Sequence, residues 1–262
     1  VGKKLIIANW KMNLNIHEGS LFVHRLDKLV GHNPNVEVVI APTMLTLQPL
    51  HLQVQHHHFN LAAQNFYWRD NGAFTGEVSA AQLRGLVKYG LVGHSERRHI
   101  FGERDRDLRN KVQAAFRNEI TPVLCVGETA HERSDGETND ILHDQLVGGL
   151  ANITGEEANQ LVVAYEPVWA IGTGSIPTSG DISRAIKAIR SQVKHLFGDA
   201  TAKNLRVLYG GSVNTDNAAS ILAIEGVDGL LIGGASLDVH AFSEIIKKAY
   251  GEVAIEKKGH KG

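Results

Sequence analysis

The chain has 262 residues, a formal net charge of -1, one cysteine, 43% apolar and 21% charged residues. Near-neutral charge gives no electrostatic basis for holding nucleic acid or an anionic membrane, and a single thiol excludes an internal disulfide. No apolar run approaches the roughly 18 residues of a membrane span, and Val1–Lys4 leads into a strand-like run without a signal-peptide core, so a cytoplasmic protein is expected.

Short apolar runs alternate with amphipathic stretches along the chain. The runs read as strands over 4–9, 36–41, 60–64, 89–93, 121–126, 161–166, 205–209 and 227–232, each of ordinary strand length and bounded by polar residues or glycine. The clearest helical stretches are 17–30, 105–118, 137–150, 180–197 and 238–249; in the second, Leu108, Val112, Ala115 and Phe116 share one helix face. Strands rich in Val, Ile and Leu without alternation bury both faces, so the sheet is parallel with helices outside. Eight such units in about 250 residues predict an α/β fold, a single-domain closed (β/α)8 barrel. An open doubly wound sheet is the alternative that periodicity leaves standing. One barrel domain is expected over 1–253, followed by a polar tail, 254–262, that frays. Cys125, inside Val123–Val126, reads as a buried structural thiol, and His56–His58, without Cys or carboxylate at ligand spacing, as a solvated loop.

In such a barrel, functional groups belong at the carboxyl ends of the strands. The first strand ends on Asn9 and Lys11, an amide and a cation. The fourth runs into His94, Ser95 and Glu96. The sixth ends in Glu166, followed by Pro167 and an apolar loop with Trp169, Ile171 and the glycines of Gly172–Gly174, as a general base beneath a lid requires. Glycine turns follow the seventh strand (Tyr209–Val213) and the eighth (Gly233–Ser236), where backbone N–H groups can cradle a phosphate. A carboxylate, an imidazole, an ammonium and a phosphate cradle suit proton abstraction beside the carbonyl of a small phosphorylated sugar.

The stretches Ala8–Asn13, Gln64–Asn65 with Gly72–Glu77, Gly93–Arg98, Pro122–Glu128, Ala164–Gly174, Tyr209–Val213 and Gly229–Leu237 carry a resemblance to the triosephosphate isomerase family over about residues 3–250. The resemblance implies a TIM barrel that interconverts dihydroxyacetone phosphate and D-glyceraldehyde 3-phosphate in glycolysis and gluconeogenesis, with no cofactor and no metal. It makes Glu166 the base, His94 a neutral electrophile, and Lys11 and Asn9 partners of substrate oxygens. Gly172, Ser212, Gly233 and Gly234 become phosphate binders. Ser95 and Glu96 support Glu166 and Lys11, Ile171 and Leu231 press on Glu166 once the lid shuts, and Tyr209 and Ser212 latch the lid. It also implies a homodimer through the 65–79 loop, with Phe74 and Thr75 reaching the partner's site.

Two other readings are open to the residues. Another phosphosugar isomerase, epimerase or aldolase on this barrel would need a metal-ligand set or a Schiff-base lysine at a strand end. A non-catalytic phosphate-binding barrel would be expected to lose Glu166, His94 or Lys11. Three positions depart from the family pattern: Gly90 where a β-branched residue is usual, Ser175 in place of a lysine, and Pro177 in place of an alanine whose N–H would meet Tyr209.

Overall fold

The computed structural model describes residues 3–54, 58–171 and 175–259. Its strands are β1 (Lys4–Asn9), β2 (Val36–Ala41), β3 (Phe59–Ala63), β4 (Tyr89–Val92), β5 (Thr121–Val126), β6 (Val162–Tyr165), β7 (Arg206–Tyr209) and β8 (Gly229–Ile232). They run parallel in chain order, and β1 pairs with both β2 and β8, which closes the barrel and removes the open-sheet alternative.

Both faces of each strand are buried, as the unbroken apolar runs require. Leu5, Ile7, Val39, Leu91, Val123, Cys125, Ala164, Leu208 and Leu231 fill the barrel. Their neighbours Ile6, Ile40, Val92, Leu124, Val163 and Ile232 pack outward against the helices. The helices Ile16–Leu29, Asp105–Arg117, Thr138–Leu150 and Ser179–Phe197 lie where periodicity puts them. The helix Met44–Val54 was not legible: it contains Pro49 and exposes Leu45 and Leu52, which blurs its apolar face. The last helix is Val239–Gly259. Of the histidine run, His56 and His57 lie outside the described residues, and the exposed His58 ring packs tilted against His32, centroids 4.1 Å apart.

At the amino end of the barrel the interior is polar. The Tyr89 hydroxyl donates to Glu37 Oε2 (2.9 Å), and Arg206, Lys88 and Asn60 converge on the same carboxylate. Burial pushes Glu37 up, but these partners outweigh it and hold the carboxyl below its usual range. The same burial raises the Tyr89 phenol to about 12. Closer to the mouth, the fourth-strand glycine has a packing reason. A Cβ at Gly90 would lie 2.5 Å from Cε1 of Phe66, so the Phe66 ring occupies the volume a side chain at 90 would fill.

Candidate active site

Glu166 follows β6, and its N–H continues the ladder to Val126 O at 2.8 Å. Its side chain is 2% exposed. Oε2 accepts the Ser95 backbone N–H at 2.8 Å, so Ser95 acts through its main chain. Oε1 lies 3.0 Å from His94 Nε2 but accepts no hydrogen bond. The negative charge of Glu166 adds to burial in holding the neighbouring Cys125 thiol well above its usual range, which keeps it protonated and inert.

His94 ends the β4 turn and starts the short helix Ser95–His99. Its Nδ1 accepts the Glu96 N–H at 3.3 Å, so the hydrogen of the neutral ring resides on Nε2, the nitrogen beside Glu166. Glu96 Oε1 holds Lys11 Nζ at 2.5 Å. Lys11 has a backbone φ of 52°, which non-glycine residues rarely adopt. Two contacts over-determine it: Lys11 N–H donates to Asn9 Oδ1 (3.1 Å), and Gln64 Nε2 donates to Lys11 O (2.9 Å).

These groups meet in a cavity of about 350 Å3 lined by Asn9, Lys11, His94, Ile171, Ser212, Leu231, Gly233 and Gly234, among others. Among the described residues, the N–H groups of Ser212, Gly233 and Gly234 donate to no protein acceptor, so three donors rim one side of the cavity. Gly172 lies outside the described residues. Ser212 Oγ donates to Ala170 O (3.2 Å), at the start of the loop after β6. Tyr209 does not reach the cavity: it is buried, with its hydroxyl beside Gly211, and burial raises its pKa. Glu166 sits just behind the cavity wall rather than in it.

Several supporting residues escape a linear reading. A Cβ at Gly127 would fall 1.7 Å from the main-chain O of Glu166, and one at Gly210 would fall 3.0 Å from Glu166 Cγ, so Gly127 makes room for the backbone of Glu166 and Gly210 for its side chain. Glu128, fully buried, accepts from Trp169 Nε1 (2.8 Å) and from the Tyr165 hydroxyl (3.1 Å). Burial raises the Glu128 carboxyl. Gly210 is visible as a turn residue, and Gly127 and Glu128 as part of a motif, but their contacts cross strands and leave no sequential signal. Among the described residues, no group of three or more His, Cys, Asp or Glu could hold a metal.

A second cavity, about 240 Å3, opens beside the first and is lined by Lys11, Met12, Gln64, His94, Glu96 and Phe101, among others. Met12 is 93% and Phe101 65% exposed. In the 65–79 loop, Phe66 is core rather than surface, whereas Tyr67 stacks on Trp68 (4.1 Å) and packs against Phe74 (4.6 Å), which is 39% exposed.

Residues 4–249 match the triosephosphate isomerase family. The chain is 43% identical to a triosephosphate isomerase of Chloroherpeton thalassium, over 94% of this chain and 99% of that protein. It is 42% identical to one of Lawsonia intracellularis (95% and 100% covered) and 41% identical to one of Clostridium perfringens (92% and 98% covered). A family match across the whole barrel, with the relatives covered almost end to end, places this chain in the triosephosphate isomerase family.

Proposed function

We propose that the chain interconverts dihydroxyacetone phosphate and D-glyceraldehyde 3-phosphate by proton transfer through an enediolate. The observation that carries this reading is an Nε2–H imidazole and a lysine lining one cavity rimmed by backbone N–H groups, with the buried Glu166 carboxylate 3.0 Å from the imidazole, just behind the wall. Glu166 takes a proton from the carbon beside the carbonyl and returns it to the neighbouring carbon. His94 Nε2–H donates in turn to the two substrate oxygens. Lys11, held by Glu96, offsets the enediolate charge, and Asn9 donates to a substrate oxygen. Ser212, Gly233 and Gly234 hold the phosphate, while Ile171 and Leu231 cover Glu166 and keep water out. A coupled assay with glyceraldehyde 3-phosphate tests the activity. Glu166→Asp should lower kcat by about 10²-fold, since it retracts the base by about 1 Å; turnover within a factor of two of wild type excludes Glu166 as the base.

Assembly as a homodimer belongs to the same reading. The exposed Met12 and Phe101 lining the second cavity support it, because a loop bearing Phe74 and Thr75 from a second copy matches that surface in character. Among the described residues no helix is long and apolar enough to cross a membrane, which agrees with a cytoplasmic enzyme.

A further inference from the structure

The turn after β8 supplies two of the three N–H donors that rim the first cavity. β8 ends at Ile232, and Gly233 leads into a short 3-10 turn, Gly234–Leu237. Gly233 and Gly234 line the cavity, whereas Ser236 does not. Ser236 is fully buried behind them. Its hydroxyl donates to Gly233 O at 2.6 Å, and its backbone N–H donates to the same oxygen at 2.9 Å. Gly233 O and Gly234 N–H are the two ends of one trans peptide plane. In such a plane they point in opposite directions, so two donors on the oxygen turn Gly234 N–H away from Ser236. That side is open, since a Cβ at Gly234 would meet nothing within 4 Å. Lys11 lies alongside the same plane: a Cβ at Gly233 would stand 3.3 Å from Lys11 Cε and 3.8 Å from Nζ.

We infer that Ser236 is a positioning residue of the phosphate cradle, whose hydroxyl fixes the Gly233–Gly234 peptide so that Gly234 N–H faces the phosphate. The inference rests on the isomerase reading above, in which Gly234 binds phosphate. A carbonyl oxygen has two lone pairs. With one donor on it the plane can still turn about the dihedrals of Gly233 and Gly234, which are free because neither residue carries a Cβ. A second donor removes that freedom before the ligand arrives, and a donor already in place costs little to orient at binding. Serine hydroxyls in helical turns commonly bond a carbonyl one turn back, a role that serves stability alone. Ser236 differs in that its acceptor shares a peptide with a cavity donor.

A titration of the full chain with inorganic phosphate, followed by amide NMR, tests it. In wild type, phosphate should move the Gly234 and Ser212 amide protons downfield. In Ser236→Ala the dissociation constant for phosphate is expected to rise about fivefold, the worth of one hydrogen bond. The Gly234 displacement at saturation should shrink while that of Ser212, on the other turn, stays. KM for glyceraldehyde 3-phosphate should rise with the dissociation constant. Ser236→Cys refills the volume of the hydroxyl but donates weakly, so it should match Ser236→Ala, and it carries the measurement if the alanine variant folds poorly. Unchanged phosphate affinity with only a lowered Tm would overturn the inference, as would wild-type binding in Ser236→Cys, which would make the role one of packing. Equal loss of displacement at Ser212 and Gly234 would also overturn it, and so would a wild-type Gly234 amide indifferent to phosphate. A wild type inactive on triose phosphates whose Gly234 amide still follows phosphate would defeat the isomerase reading and leave the role of Ser236 standing.

Discussion

Gly210→Ala tests whether the backbone around Glu166 is shaped for the base. Gly210 lies outside the left-handed region, so alanine fits the main chain and any effect comes from its methyl group. That methyl would sit 3.0 Å from Glu166 Cγ, 3.3 Å from Tyr165 O and 3.7 Å from Leu231 Cβ. Carbon atoms prefer about 3.5–4.0 Å, so the carboxylate arm must retreat by roughly 0.5–1 Å. Since about 1 Å of misplacement costs about 10²-fold, Gly210→Ala should lower kcat about ten- to a hundredfold. KM should change little, as the three N–H donors are untouched, and overpacking of about 1–3 kcal/mol leaves the protein folded. Coupled kinetics together with a thermal melt read out all three quantities. A variant with wild-type kcat and a lowered Tm would refute the reasoning, because the clash would then be relieved without moving the base.

Other substitutions probe separate parts of the molecule. Phe74→Asp should shift sedimentation toward a monomer and reduce activity with it; a fully active monomer would remove the 65–79 loop from any role in assembly. Glu37→Gln, which strips the central acceptor from Arg206 and Tyr89, should cost about 2 kcal/mol at pH 7. The Glu37 pKa is lowered on folding, so this contribution is complete above the usual glutamate value of about 4.3 and is lost as pH falls through the lower folded value. The Tm gap between wild type and Glu37→Gln should therefore close toward pH 3, and a gap independent of pH would contradict the charge argument. For the lid, Pro177 has no N–H to offer Tyr209, while Ser212 already holds Ala170 O. Ser212→Ala should then lower kcat/KM more than Tyr209→Phe does, and Tyr209→Phe should become harmful in a Pro177→Ala background; equal harm from Tyr209→Phe in both backgrounds would contradict it.

The strands were legible because a strand buried on both faces reads as an unbroken apolar run, and β1, β2 and β5 have the bounds predicted for them. The cavity was legible because closing a parallel barrel brings every carboxyl end to one rim. Asn9, Lys11, His94, Ser212 and Gly233 needed only their positions after a strand to be placed there. What a linear reading lacks is the identity of lateral neighbours. That Ser95 would serve Glu166 through its main chain, or that Arg133 would meet both Trp169 and Asp181, depends on turns whose local signals are weak.

Gly90 shows the same limit from the other side. As a sequence feature it is an irregularity, a strand interior without a side chain, and interior glycine weakens a strand unless something packs close. Phe66, on the loop after β3, supplies that packing, with Cε1 2.5 Å from where a Cβ would stand. The volume missing from β4 is filled from a neighbouring segment, so the wall between β3 and β4 stays solid. The departure therefore stays confined to packing. A β-branched residue at 90 would be accommodated only together with a smaller residue at 66, and neither change alone would be.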